Sequence, residues 1–137
     1  MSIYASINDV KPYVRFISDD ASDDLFHAVL DNADSWVNAR LKSNKLTIWT
    51  QPSQEIPSLL KTAATYYAAS DIILALYNGE EMPTQYDTYF NKAEQMLTAY
   101  IQLKTTELAE TELKKYNPVK HSKSQSYYQR KRRRPRT

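Results

Sequence analysis

The chain has 137 residues, no cysteine and a formal net charge of +2. This length suits one domain, and the lack of cysteine excludes disulfides, thiolate metal sites and cysteine nucleophiles. The single glycine, Gly79, argues against phosphate-binding loops and β-rich folds, because both need several positions that only glycine adopts readily. No apolar run is long enough to span a membrane and residues 1–5 do not resemble a signal peptide, so we expect a soluble, unexported protein.

The charge is distributed unevenly along the chain. Residues 117–137 contain eight Lys/Arg and no Asp/Glu, whereas the preceding residues contain ten Lys/Arg and sixteen Asp/Glu. The net charge is therefore +8 in the C-terminal segment and −6 before it. Such a split is typical of an interaction arm attached to a folded domain. We predict a helical domain at residues 1–116 and an extended basic C-terminal arm at residues 117–137.

The N-terminal residues predict a short helix. Ser6 can cap its start, Asp9 follows three residues later, and Pro12 keeps the helix short or kinks it. Its apolar positions recur at helical spacing, at Ile7, Val10, Val14 and Ile17.

A longer helix is predicted over residues 22–42. Ser22, Asp23 and Asp24 supply the capping hydroxyl and the acidic first turn that favour a helix start. The apolar residues then follow an i, i+3, i+4, i+7 pattern: Leu25, Phe26, Val29, Leu30, Ala33, Trp36, Val37 and Leu41.

Residues 43–56 break this periodicity. Apolar and polar residues alternate there, and prolines follow, which predicts either a short strand or an exposed loop. Trp49 is the residue of this loop that we expect to contact a partner, although simple packing beneath the loop would explain it equally well. Together with Ile48 it forms our candidate subunit interface.

The third predicted helix runs from Pro57 to Tyr77 and is apolar around most of its girth, which places it at the centre of the fold. We expect Pro57 in its first turn, and Gly79 to end it in the left-handed conformation. A fourth helix carries one apolar stripe, made of Tyr86, Tyr89, Phe90, Ala93, Leu97, Tyr100 and Ile101. The predicted fold class is therefore all-α, a small bundle of three to four helices with a short strand-like loop and an extended basic tail.

The sequence contains no constellation that predicts catalysis. The two histidines, His27 and His121, lie on different elements, and we interpret His27 as a half-exposed helix residue. The acidic residues near the second helix are better explained by capping than by a cation site, and pairs such as Asp31 and Asp34 as solvated charge. We therefore expect no enzyme activity, no metal and no cofactor.

Aromatic residues are frequent, with eleven tyrosines in the chain. Packing in the core explains most of them, and we expect the others to line interfaces, where the amphipathic tyrosine ring is favoured.

The C-terminal arm combines aromatic and basic residues. Such a segment can neutralise phosphates and stack on bases, bind an acidic protein groove through arginine, or remain solvated without a fixed partner. These three interpretations stay open. The candidate residues for binding a portal protein or a nucleic acid are Tyr127, Tyr128, Arg130, Lys131, Arg132, Arg133, Arg134 and Arg136.

The pattern of the third and fourth helices resembles a known family. It consists of Ile56-Pro57-Ser58-Leu59-Leu60, then Ala63-Ala64-Thr65-Tyr66-Tyr67-Ala68-Ala69, then Tyr86, Tyr89-Phe90, Ala93 and Leu97. Together with the short N-terminal helix, this order is similar to that of the head–tail adaptor, or connector, proteins of tailed bacteriophages. The likeness covers residues 5–103 in element order and spacing.

The resemblance implies a structural protein of the virion, located at the head–tail interface and assembled in the host cytoplasm. Subunits of this family form a homo-oligomeric ring, usually a dodecamer, below the portal protein. The ring extends the DNA channel, where it can contact genomic DNA, and receives a stopper or tail-completion protein. The alternative function is a small nucleic-acid-binding protein that acts through its basic tail. The acidic body disfavours that alternative, because it would repel a duplex everywhere except at the tail.

Overall fold

The computed structural model describes residues 2–17, 21–77, 79 and 83–116. The α-helices are α1 (Ile7–Val10), α2 (Asp23–Ser43), α3 (Ser58–Leu76) and α4 (Thr84–Tyr116). Within these described ranges all regular structure is helical and no strand occurs. The predicted all-α bundle is thus confirmed, whereas the predicted basic arm, residues 117–137, lies outside the described residues.

The first helix is short for the reason that its sequence suggested. Ser6 and Asp9 form a capping box, in which each side chain accepts a hydrogen bond from the backbone N–H of the other residue. The chain then tightens into a 3-10 turn over Lys11–Val14, because Pro12 has no N–H to continue the helix. Val10 and Val14 are fully buried, which fixes this segment to the core.

Both ends of α2 are closed by specific hydrogen bonds. The Ser22 hydroxyl accepts from the backbone N–H of Leu25 at 3.1 Å. At the other end, the N–H of Lys45 donates to the Lys42 carbonyl at 3.0 Å, and the N–H of Leu46 to the Leu41 carbonyl at 2.9 Å. This is a Schellman motif, with Lys45 in the left-handed region at a φ of 58°.

The segment between α2 and α3 is a loop with turns and contains no strand, so of the two predicted alternatives the loop is correct. Pro57 lies at the N-cap of α3, one residue before the helix begins, rather than inside its first turn. Ile56, next to it, is buried and connects the loop to the core.

Helix α3 is the central element, as predicted. It contacts α1, the 3-10 turn and α2, and of these three contacts the one with α2 is the most extensive. Small residues permit this close approach, since Ala63, Ala64 and Ala68 are fully buried on α3 and Ala33 on α2.

The prediction that a left-handed Gly79 ends α3 is wrong. Gly79 does not have a positive φ, and the helix is ended instead by an extended Tyr77 (φ −79°, ψ 126°). Here glycine allows a close approach, because a Cβ at residue 79 would overlap the Tyr77 side chain.

Helix α4 carries the predicted apolar stripe, and the residues of this stripe are buried to two different degrees. Ala93, Leu97, Tyr100 and Ile101 are buried, whereas the aromatic residues of its first turns are only half-buried. The chain divides into two compact units after Gln102. The aromatic residues at the start of α4 and the helices that they contact belong to the first unit.

Candidate interaction surfaces

A buried carboxylate holds the N-terminal segment against α2. Asp34 is only 7% exposed and accepts hydrogen bonds from the backbone N–H of Ile3 at 2.9 Å and of Tyr4 at 3.2 Å. Burial raises the pKa of Asp34, although the two amide donors oppose that shift. The interpretation of Asp34 as solvated charge is therefore wrong. It lies among the apolar positions of α2 and has a structural role.

The Tyr4 side chain extends this polar cluster to the loop after α2. Its hydroxyl donates to the Asn38 side-chain oxygen and accepts from the backbone N–H of Trp49 at 3.3 Å. The Asn38 amide donates to the Trp49 carbonyl at 3.1 Å. Burial raises the pKa of Tyr4, although the hydrogen bond from the Trp49 backbone opposes that shift.

These contacts define the surroundings of the candidate interface in the loop. The Trp49 ring is half-buried and meets the Tyr4 ring edge-to-face, with 6.4 Å between ring centroids. Ile48 is 37% exposed. Trp49 thus packs within its own subunit and Ile48 faces solvent, and their contact with a neighbouring subunit stays a prediction.

A first aromatic cluster lies between α2 and α4 and crosses α3. The Trp36 and Tyr67 rings stack with their centroids 4.4 Å apart, Tyr67 contacts Phe90 at 6.4 Å, and Tyr86 stacks on Phe90 at 6.2 Å. All four rings are half-buried. We call them the Trp36 cluster.

Charged and polar groups surround the Trp36 cluster. Arg40 of α2 donates to the Glu94 carboxylate of α4 at 2.8 Å and to the Thr98 hydroxyl at 3.3 Å. Asp71 of α3 accepts from the Asn32 side chain at 3.4 Å, and burial raises its pKa. The pKa of Tyr67 is also raised, first by burial and then by the negative charge of Asp71. This side of α3 is therefore aromatic and acidic.

A second aromatic cluster lies on another side of α3. Tyr66 contacts Tyr13 of the 3-10 turn at 5.0 Å and Tyr89 of α4 at 5.7 Å, and Tyr13 and Tyr89 are 5.7 Å apart. The Lys92 ammonium lies over the Tyr66 ring, 5.4 Å from its centroid. We call the three tyrosines the Tyr13 cluster. A hydrogen bond with the Tyr66 side chain, more than burial, raises the pKa of Tyr13.

The described residues offer no assembled metal centre. Across the residues that the structure describes, no three His, Asp or Glu side chains come together in a way that could hold a metal ion. His27 is exposed on α2. In the same described part of the chain, no helix has the length and apolar character needed to cross a membrane.

The predicted binding residues of the arm lie outside the described residues. These are Tyr127, Tyr128, Arg130, Lys131, Arg132, Arg133, Arg134 and Arg136. Their role stays a prediction.

Sequence reasoning missed the two aromatic clusters as surfaces. Tyr66 and Tyr67 are neighbours on α3, and Tyr89 and Phe90 are neighbours on α4. Adjacent helix positions differ by about 100° in direction, so each aromatic pair supplies one ring to each cluster. The sequence signal that could have revealed both clusters is the pair of adjacent aromatic residues on each of the two facing helices.

Comparison with known proteins adds no relative. No protein-family model matches the chain, and neither the curated proteins nor the solved structures contain a match.

Proposed function

We propose that this chain is a structural head–tail connector, or adaptor, protein of a tailed bacteriophage. In this proposal its subunits form a ring below the portal protein, extend the DNA channel and receive a stopper or tail-completion protein. The chain has no catalytic activity of its own and needs no cofactor.

The observation that carries the proposal is the position of the adaptor-like pattern in the fold. Its small residues, such as Ala63 and Ala64, lie at the buried centre of α3. Its aromatic residues pack α4 beside α3 and remain half-buried, as in the pairs Tyr66–Tyr89 and Tyr67–Phe90. Tyrosine, tryptophan and phenylalanine are enriched in protein–protein interfaces, and rings that stay half-buried in the subunit offer surface for such contacts, which favours an assembly protein.

The charge distribution gives further support. A net charge of −6 before residue 117 and +8 after it provides each subunit with an arm of opposite sign to its body. We propose that the arm binds the portal protein, with its arginines meeting acidic groups and its tyrosines filling pockets. Each portal subunit presents the same groove, whereas duplex DNA in the channel does not share the symmetry of a ring.

The test is binding of the full-length chain to the portal protein of the same virus. We expect a ring on the portal by electron microscopy, and a large loss of attachment when Arg130, Arg132 and Arg133 are replaced by glutamine. A matched control replaces Lys42, Lys45 and Lys61 of the body by glutamine, and we expect attachment to persist. Failure of the wild-type chain to attach would contradict the proposal.

The alternative function, nucleic-acid binding through the tail, predicts a different result. In that case the full-length chain would bind duplex or single-stranded DNA, and the logarithm of its affinity would fall linearly with the logarithm of salt concentration. The arginine variant would then bind DNA more weakly, and its affinity would depend less steeply on salt concentration. If this were observed while the variant still attached to the portal, the arm would bind nucleic acid rather than the portal protein. If the wild-type chain bound DNA without attaching to the portal, the nucleic-acid function would replace the connector.

A further inference from the structure

The two aromatic clusters lie on different sides of the central helix and differ in charge. The Tyr13 cluster is joined by Lys92, whose ammonium covers the Tyr66 ring. Asp9 also lies near Tyr13, but its carboxylate is engaged in the capping box with the Ser6 N–H at 3.0 Å. Asp9 is itself exposed, and the charge that lies over a ring of the Tyr13 cluster is that of Lys92.

The Trp36 cluster has the opposite charge. Asp71 and Glu94 both act electrostatically on Tyr67, and Arg40 pairs with Glu94. Asp87 is exposed and lies one helical turn before Phe90 and two before Glu94, on the same face of α4. Leu74, one turn beyond Asp71 on α3, is 48% exposed and adds apolar surface. The exposed charge on this side is negative.

We propose that the Tyr13 cluster of one subunit docks against the Trp36 cluster of a second copy of this chain. The two surfaces are complementary in charge, with Lys92 on one and Asp87 and Asp71 on the other, and both present half-buried aromatic rings. The contact is heterologous, since each subunit uses one surface on each of its two sides, and repeated contacts of this kind close a ring or continue as a filament.

This inference rests on the proposed function, because it specifies which surfaces join the subunits of the connector. It also assigns separate tasks to separate parts of the chain. The clusters around α3 join neighbouring subunits, whereas the basic arm attaches the assembly to the portal. Self-association and portal attachment can therefore fail independently.

The experiment measures self-association of the full-length chain by sedimentation velocity over a concentration series at low salt. We compare the wild type with Lys92→Glu, with Asp87→Lys and with the double variant. Both residues are exposed, so the substitutions should leave the fold intact, which circular dichroism verifies. Each single variant is expected to weaken self-association about tenfold, since it replaces an attraction by a repulsion across the contact. Lys42→Glu and Glu112→Lys carry the same charge changes at exposed positions outside both clusters and should associate like the wild type.

An equimolar mixture of the two single variants provides the decisive readout. In a heterologous contact, the altered surface of one variant meets the altered surface of the other with restored complementarity, and the unaltered surfaces still match. The mixture and the double variant should both recover association to near the wild-type level. Raising the salt concentration should weaken association in the wild type.

Three results would overturn the inference. One is a wild-type chain that stays monomeric up to its solubility limit. Another is single variants that associate like the wild type. The third is a loss of self-association in Asp87→Lys but not in Lys92→Glu. The acidic surface would then bind a different basic segment, such as residues 117–137. Self-association that follows these charge changes without portal attachment would instead reject the connector function and retain the subunit contact.

Discussion

The two long helices beside α3 pack against it in different ways. On the α2 side the two backbones come close together, and Ala33 of α2 and Ala64 and Ala68 of α3 are fully buried. On the α4 side, aromatic rings fill the space between the helices, and most of these rings are half-buried. We call these contacts the α2–α3 seam and the α3–α4 seam. The first is closed where these alanines lie, although the Trp36–Tyr67 stack that also joins α2 to α3 is half-buried. In the second, the rings that join the two helices stay half-buried and leave aromatic surface to which a partner can bind.

This difference predicts that substitutions will be costly at the α2–α3 seam and tolerated at the α3–α4 seam. The largest expected effect is that of Ala64→Glu. An unpaired charge at this fully buried position costs several kcal/mol, about the whole stability margin of a small domain, so the variant should be unfolded. Circular dichroism and thermal melting measure the loss of helix.

The matched control is Ala75→Glu, which introduces the same residue at an exposed position of the same helix. Its melting temperature should be close to that of the wild type. A cooperative melt of Ala64→Glu at the wild-type temperature would show that the α2–α3 seam is not the closed core described above.

Asp34→Ala tests the buried hydrogen bonds between α2 and the N-terminal segment. It leaves the N–H groups of Ile3 and Tyr4 without their acceptor, and we expect a loss of about 2–3 kcal/mol in the free energy of unfolding. Chemical denaturation measures this loss. Asp31→Ala, at an exposed neighbouring position, is the control and should change stability little. Equal stabilities of the two variants would mean that the N-terminal segment is not held by Asp34.

Tyr67→Ala probes the α3–α4 seam, where we expect a smaller loss of about 2 kcal/mol. The variant removes the ring that stacks on Trp36 and contacts Phe90, but the site is half-buried and water can fill part of the space. Tyr67→Phe retains the ring and should lie near the wild type in chemical denaturation. A loss as large as that of Ala64→Glu would erase the distinction between the two seams.

Lys45→Gly should stabilise the protein by about 1 kcal/mol, because Lys45 is held at a φ of 58°, where a side chain is unfavourable. The residue lies in the Schellman motif that folds Leu46 back toward Leu41 at the end of α2. The substitution therefore reinforces the element that forms the α2–α3 seam. The melting temperature of the Lys45→Gly variant should be above that of the wild type. The melting temperature of Lys42→Gly, a substitution inside α2, should be below it. A decrease for Lys45→Gly would contradict the strain assigned to this position.

Much of the fold could be predicted from the sequence, because its signals are local. The Ser22 cap, the proline that shortens the first helix and the apolar stripe of residues 25–41 each depend on neighbouring residues. The left-handed residue was misplaced at Gly79. The structure has it at Lys45, since the turn after α2 is imposed by the packing of Leu46 rather than by residue preference.

The candidate surfaces could be predicted only in part, because they depend on contacts between distant segments. Asp34 was interpreted as solvated because its partners, Ile3 and Tyr4, lie about thirty residues earlier in the chain. Likewise, the periodicity of α3 showed that Tyr66 and Tyr67 lie near the core. It did not show that they belong to two separate clusters.

The smallest expected effect concerns the Arg40–Glu94 ion pair, which joins α2 to α4 beside the α3–α4 seam. Its side chains are 34% and 35% exposed, so solvent screens their attraction and we expect a coupling energy of about 0.5 kcal/mol. A double-mutant cycle with Arg40→Ala, Glu94→Ala and the double variant measures that coupling by chemical denaturation. If the α3–α4 seam were as closed as the α2–α3 seam, the pair would be shielded from water and truncating one partner would cost about 3 kcal/mol or more. Truncation costs well below that value, together with a coupling energy that diminishes in high salt, would support a solvent-accessible seam to which a second subunit can bind.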